Sequence, residues 1–183
     1  MINPISNFFQ QRFTRGRVNL LISNADSFSI DRSLRDLTID FFQQEEWEFS
    51  VTKNPAILRV ACEGESGQWY CYAKIDEDEQ RFAFYSVCPY QASPDKLAAM
   101  AEYTSRANYG MTIGNFELDF ADGEIRYKTS IDFQDHKPTL GSISQLVYTN
   151  ISMMERYLPG ILSIIKQDLE ADKAIQAIEA VIV

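Results

Sequence analysis

One histidine, three cysteines and no long apolar run set the first limits on this 183-residue chain. With His136 alone, a histidine-built metal cluster lacks ligands, and any Ser-His or Cys-His dyad would have to pass through that one residue. It sits in the polar stretch Asp135-His136-Lys137-Pro138 and reads as a solvated loop side chain. Cys62, Cys71 and Cys88 are odd in number and show no Cys-x-x-Cys spacing, so neither a disulfide framework nor a zinc site is implied. All three fall in β-like apolar stretches and are expected to be small buried hydrophobes. A membrane-spanning helix needs roughly 20 apolar residues and a secretory leader an apolar core of roughly 7–15. The chain shows neither pattern, and the expected location is the cytoplasm.

Positive charge is also scarce. Seventeen Lys and Arg against 26 Asp and Glu give a net charge of -9, which repels phosphate backbones and anionic lipid, so no nucleic acid and no membrane is expected as a partner. The local exception is the N-terminal stretch, where Arg12, Arg15 and Arg17 lie among Phe8, Phe9 and Phe13. It reads as an appended arm, either a loosely attached terminus or a docking segment. What remains is ordinary globular composition, 45% hydrophobic and 23% charged, long enough to bury roughly 70% of the unfolded surface without a metal or disulfide staple.

The expected organisation is an arm over 1–28, a single α+β domain over 29–170 and a helical tail over 171–183. A first helix starts at Asp31, capped by Asp31 or Ser29, carries the stripe Leu34, Leu37, Ile39, Phe41 and Phe42, and ends near Glu46. Stretches 48–52, 57–63, 68–75 and 81–88 are rich in β-branched and aromatic residues and are separated by turn signals, which predicts an antiparallel meander. Ser93-Pro94-Asp95-Lys96 opens a second helix of about 15 residues, with Ser93 as cap and Pro94 at the first helical position, and Asn108-Tyr109-Gly110 stops it. Phe116, Leu118 and Phe120 then alternate with polar residues, as do Ile125, Tyr127, Thr129 and Ile131. Asp122-Gly123 between them predicts a two-residue hairpin turn, setting Phe120 opposite Ile125, Leu118 opposite Tyr127, Asp119 opposite Arg126 and Glu117 opposite Lys128. From Thr139 a long helix is expected, kinked or broken at Pro159-Gly160.

Few groups are candidates for chemistry. Glu117 and Asp119 stand two apart on one strand, as a carboxylate pair for acid/base work or cation binding would, but Arg126 and Lys128 offer each a cross-strand partner and point to a solvated charged face. Asp76-Glu77-Asp78-Glu79 lacks the glycine and distal glutamate of a calcium loop and is expected to be a solvated turn. Gly64 and Gly67 precede no Lys-Ser or Lys-Thr, so they make no phosphate loop, and Asn150-Ile151-Ser152 matches a glycosylation site only formally. No cofactor, no metal ligand and no catalytic residue follows from the residues.

The aromatic series Trp69, Tyr70, Tyr72, Phe82, Phe84, Tyr85 and Tyr90 is the larger signal. It puts rings on both faces of the central strands, whereas a sheet covered by helices on one side needs only one apolar face. Either the arm or a loop covers the second face, or it is a self- or partner interface; Trp69, Tyr70, Tyr72, Tyr85 and Tyr90 are the candidate interaction surface.

Taken together, the helix, the strands, the helix opened by Ser93-Pro94-Asp95-Lys96-Leu97 and closed by Arg106-Ala107-Asn108, and the stretches Gly114-Asn115-Phe116-Glu117-Leu118-Asp119 and Asp122-Gly123-Glu124-Ile125-Arg126-Tyr127 resemble the YbjN-domain family of bacterial sensory transduction regulators. The likeness covers roughly residues 31–165 and is most specific over 108–127. It implies a type III secretion chaperone-like α+β fold: a curved antiparallel sheet of five to six strands packed by helices in the order α-β-β-β-β-α-β-β-α, commonly dimeric and without cofactor. It implies no catalytic position; Gly114, Phe116, Glu117, Leu118, Asp119, Asp122 and Gly123 form a structural motif of core, charge and turn residues. The expected function is that of a non-enzymatic, protein-binding, chaperone-like or regulatory homodimer acting through its sheet and helix surfaces. The alternative is a small-molecule sensor or uncatalogued hydrolase with a pocket beside Glu117, Asp119 and His136.

Overall fold

The computed structural model describes residues 3–4 and 32–180; the expected arm over 1–28, apart from 3–4, and the cap positions Ser29 and Asp31 lie outside the described residues. The elements in chain order are β1 (Asn3–Pro4), α1 (Leu34–Gln44), β2 (Phe49–Val51), β3 (Ile57–Gly64), β4 (Gly67–Asp76), β5 (Arg81–Val87), α2 (Leu97–Asn108), β6 (Asn115–Leu118), β7 (Ile125–Asp132), α3 (Leu140–Gln167) and α4 (Ala171–Glu179). The sheet runs β1-β3-β4-β5-β7-β6, with β2 also on β3. Among the described residues every pairing is antiparallel except that of β1 with β3. From α1 through α3 the order is the expected α-β-β-β-β-α-β-β-α.

Period-two burial sets the sheet's two faces. Trp69, Cys71, Ala73 and Ile75 of β4, Phe82 and Phe84 of β5 and Ile125 and Tyr127 of β7 are buried on the inner face. There they meet Ile143, Val147, Ile151, Met154 and Leu158 of α3, spaced three or four apart on one helical stripe. Each such fully buried side chain contributes roughly 1.5–3 kcal/mol of transfer free energy. α1 lies against α3, and α2 packs between β6, α3 and α4. No helix among the described residues is long and apolar enough to cross a membrane.

Polar side chains correct the predicted helix ends. Ser33, not a residue further upstream, caps α1 by accepting from the Asp36 N–H at 3.1 Å. The acidic loop is no mere solvated turn, because the Glu77 carboxylate accepts from the N–H groups of Leu34 at 3.2 Å and Arg35 at 2.7 Å, where free amides and the helix dipole favour an anion. α2 starts at Leu97 and has 12 residues, three fewer than the predicted 15. Ser93 does not cap it: the N-cap position is Lys96, with no side-chain cap bond, while the Ser93 hydroxyl donates to Asp95 Oδ1 at 2.6 Å and its carbonyl closes a turn onto Lys96 N–H.

Of the kink or break expected at Pro159, the break does not occur; α3 is one 28-residue helix with Pro159 inside it. A proline lacks the N–H that would reach the carbonyl four residues back. That carbonyl belongs to Glu155 and accepts instead from the Ser66 hydroxyl, 3.2 Å away in the turn joining β3 to β4. The next residue, Gly160, admits the Tyr103 ring: a Cβ there would stand 2.1 Å from the Tyr103 hydroxyl oxygen, whose proton goes to the Tyr157 carbonyl at 2.9 Å.

Candidate interaction surface

The helices occupy the inner face, and the outer face shows what the adjacent aromatics in sequence do. Trp69-Tyr70 and Phe84-Tyr85 each send one ring inward and one outward, as consecutive strand residues must. Tyr70 is 51% exposed, and Tyr72 and Tyr85 are half-buried among their outer neighbours. Register aligns them in rows across the strands: Arg59, Tyr72, Tyr85 and Lys128 in one, Ala61, Tyr70, Val87 and Arg126 in the next. The small residue Ala61 beside Tyr70 and Tyr72 leaves a hollow of about 270 Å³ that Val87 also lines. A second, about 470 Å³, opens beside Tyr85 over Ala83 and Ser130.

Cations edge these rings. The Arg59 guanidinium stands 4.9 Å from the Tyr70 ring centre and that of Arg126 4.8 Å from Tyr85, within cation–π range. Two of the five aromatics expected at the surface do not join them. Trp69 is 3% exposed and belongs to the core, where its indole N–H donates to Ser86 Oγ at 3.1 Å. Tyr90 is exposed but has Lys166 of α3 over its ring at 3.9 Å, which places it toward the helical side.

The hairpin between β6 and β7 differs from its predicted register by two residues: Leu118 faces Ile125, Glu117 faces Arg126, and Phe116 faces Tyr127. The turn is wider than two residues because Asp119 closes it, accepting Gly123 N–H on its carbonyl at 2.8 Å and Ala121 N–H on its carboxylate at 2.8 Å. Phe120 is thereby pushed off the apolar face and is 64% exposed. A shift of two preserves the face each residue points to. Glu117 therefore remains outward and receives both Arg126 Nε at 2.8 Å and Lys128 Nζ. Partial burial pushes its carboxyl up, but the hydrogen bonds from Lys128 and Arg126 outweigh that and hold it below the ordinary carboxylate range.

The carboxylate–histidine pocket of the alternative reading does not form. Asp119 lies in the turn, Glu117 opposite Arg126 near the start of β7, and His136 past Asp132 at the other end of that strand. The six steps from Arg126 to Asp132 alone span about 20 Å. Among the described residues no group of three His, Cys, Asp or Glu side chains is arranged to hold a metal. The three cysteines are buried free thiols.

The motif glycines act as spacers. At Gly114, with φ +79°, a Cβ would stand 2.5 Å from the Lys128 carbonyl, and at Gly123, with φ +78°, it would stand 2.0 Å from that of Ala92.

Two asparagines escaped the sequence reading. Asn108, read only as a helix stop, accepts the Phe116 N–H at 2.7 Å and donates to the Phe116 carbonyl at 3.0 Å, pairing with edge strand β6 as another strand would. Asn150, wholly buried in α3, donates to the carbonyls of Phe84 at 2.8 Å and Tyr127 at 3.0 Å and so pins the helix to β5 and β7. Its burial also rules out its glycosylation in the folded chain.

Comparison with known proteins follows the same lines. The family model for YbjN, "Putative bacterial sensory transduction regulator", matches residues 35–163. Among solved structures the chain is similar to "YbjN, a putative transcription regulator from E. coli", with 12% identity, TM-score 0.54, and 69% of this chain and 88% of that one covered. It is also similar to the HopA1-SchA chaperone-effector complex, at 12% identity, TM-score 0.45, covering 67% of this chain and 89% of that one. A further likeness is to the ExsC-ExsE complex, at 13% identity, TM-score 0.40, covering 67% and 91%. No curated protein matches the chain. At such identity the E. coli structure speaks for a shared fold.

Proposed function

This chain belongs to the YbjN family, and we propose that it is a cytoplasmic, non-enzymatic, chaperone-like or regulatory protein that works by binding another polypeptide on the outer face of its sheet. One observation carries the reading: Tyr70, Tyr72 and Tyr85 stand together on the face opposite the helices, edged by Arg59, Arg126 and Lys128. Tyrosine and arginine are the residues that protein interfaces favour, because a rigid ring supplies large contact area at little entropic cost and the guanidinium a planar donor fork. Among the described residues of the outer face, the carboxylate beside the tyrosines, Glu117, is held ionised between two cations and is not poised as an acid or base.

The test is selection of a random peptide library against the full chain. Retained peptides are expected to lose at least about tenfold in affinity on the double variant Tyr72→Ala, Tyr85→Ala. A library without binders, or binders indifferent to both substitutions, would sink the reading. The family resemblance adds a homodimer as the working unit, and light scattering after size exclusion across a concentration series checks it: a monomer at every concentration overturns that part.

A further inference from the structure

We infer that the segment taken by the outer face is an extended, acidic one that crosses the strands, with carboxylates four residues apart and an apolar or aromatic residue midway. This deepens the protein-binding reading and rests on it. Although the chain carries a net charge of -9, the surface around the tyrosines has the opposite character. Arg59 and Lys74, outward neighbours of Tyr72, form no ion pair with a described residue, and Arg126 and Lys128 converge on one carboxylate, Glu117, with Glu124 at 3.4 Å from Arg126. A cation-rich patch on an acidic protein selects anionic partners and disfavours pairing with the same cationic patch of a second copy.

The row Arg59, Tyr72, Tyr85, Lys128 supplies the spacing. Three strand-to-strand steps separate its end cations, about 14 Å at roughly 4.8 Å per step. An extended peptide advances about 3.4 Å per residue, so its residues i and i+4 also stand about 14 Å apart, on the same side of the peptide. Acids at those positions meet Arg59 and Lys128, and the side chain at i+2 lands between Tyr72 and Tyr85. Lys128 is free to turn outward, because Arg126 still holds the other oxygen of Glu117 at 2.8 Å. A single-stranded nucleic acid fits less well: the guanidiniums of Arg59 and Arg126 already lie over two of the rings on which bases would stack, and the net charge of -9 opposes a polyphosphate, charged at every nucleotide, more strongly than a peptide carrying two acids.

Fluorescence anisotropy with the full chain tests the inference. The probe is a labelled peptide with Glu, Phe and Glu at alternate positions in a Thr/Ser background; the competitors are the same peptide with Lys for Glu, one with the acids three residues apart, and a ten-nucleotide oligouridine. The expected result is salt-sensitive binding of the probe, at least about tenfold weaker for the Lys version, and weakened about threefold by three-residue spacing and by either Arg59→Gln or Lys128→Gln. Cooperative melting well above the assay temperature in both variants excludes a folding effect. Equal affinity for the Lys peptide, indifference to spacing, or binding of oligouridine in place of peptide overturns the inference. Failure here with face-dependent neutral or basic peptides still emerging from the library removes the acidic specificity alone; failure of both removes the protein-binding reading as well.

Discussion

Ser66 and Glu155 are joined three times over: the serine hydroxyl donates to the Glu155 carbonyl at 3.2 Å and to its carboxylate at 3.1 Å, and the serine N–H donates to the same carboxylate at 2.9 Å. The carbonyl involved is the one that Pro159 leaves without a helical donor, so the turn between β3 and β4 mends a defect in α3 from 89 residues away in sequence. The join also fixes Gly64, where a Cβ would fall 2.0 Å from the Glu155 carboxylate.

Ser66→Ala is therefore expected to cost about 1–2 kcal/mol in urea unfolding. The cost of losing the hydroxyl should shrink in a Pro159→Ala background, because alanine restores the missing helical donor. A double-mutant cycle reads the coupling, and additive costs would show that the hydroxyl and the proline are unrelated.

Asn108 stands to β6 as a short artificial strand. Asn108→Ala removes both Asn108 bonds to Phe116, leaving its N–H unpaired and its carbonyl only the Asn115 amide at 3.2 Å, and lays open the edge of the sheet. A loss of about 2 kcal/mol is expected together with concentration-dependent association seen by light scattering, since an unpaired edge recruits other chains. Destabilisation without association would mean that the edge is guarded by something other than Asn108.

What could be read in advance was local and periodic. Tyr70 and Tyr85 were placeable on the outer face because strand parity needs only the neighbours Trp69 and Phe84. Helix α3 was legible from Ile143 to Leu158 for the same reason. The contacts that escaped were polar side chains meeting backbone across long separations, Glu77 on the start of α1 and Asn150 on β5, because such a bond depends on which elements become neighbours and leaves no repeat in the chain. Pro159 misled in the same way: its cost was foreseeable, its repair by Ser66 was not. The candidate surface was half legible: parity separates Trp69 from Tyr70 and so excludes the tryptophan grouped with it, but nothing in the sequence shows that Tyr90 turns toward Lys166.

The β6–β7 turn depends on backbone room at Gly123. A Cβ there meets the Ala92 carbonyl at 2.0 Å, and main chain cannot swing aside as a flexible side-chain tip can. Gly123→Ala also forces a side chain into the left-handed region. A loss of about 2–4 kcal/mol is expected in thermal or urea unfolding, with Gly110→Ala as a control for positive φ without steric conflict, because Gly110 has a similar φ of +90° and nothing lies within 4 Å of that position. Equal costs at the two sites would assign the effect to φ alone.

Glu117 ties stability to acid. Its carboxyl lies below its ordinary value when folded, because the bonds from Lys128 and Arg126 outweigh the effect of burial, so the unfolded chain takes up this proton first as pH falls. The contribution of Glu117 is thus fully present above the unfolded value, about pH 4.3, and is lost progressively as pH drops through the depressed folded value. Glu117→Gln removes the charge at every pH. Its stability difference from the native chain should be largest near neutrality, shrink below about pH 4, and shrink with added salt, because the cluster is partly exposed and screened. Urea titrations at a series of pH values give the comparison. A difference that stays constant down to pH 3 would mean that Glu117 holds β6 by shape and hydrogen bonding alone, leaving Arg126 and Lys128 no electrostatic stake in the face they edge.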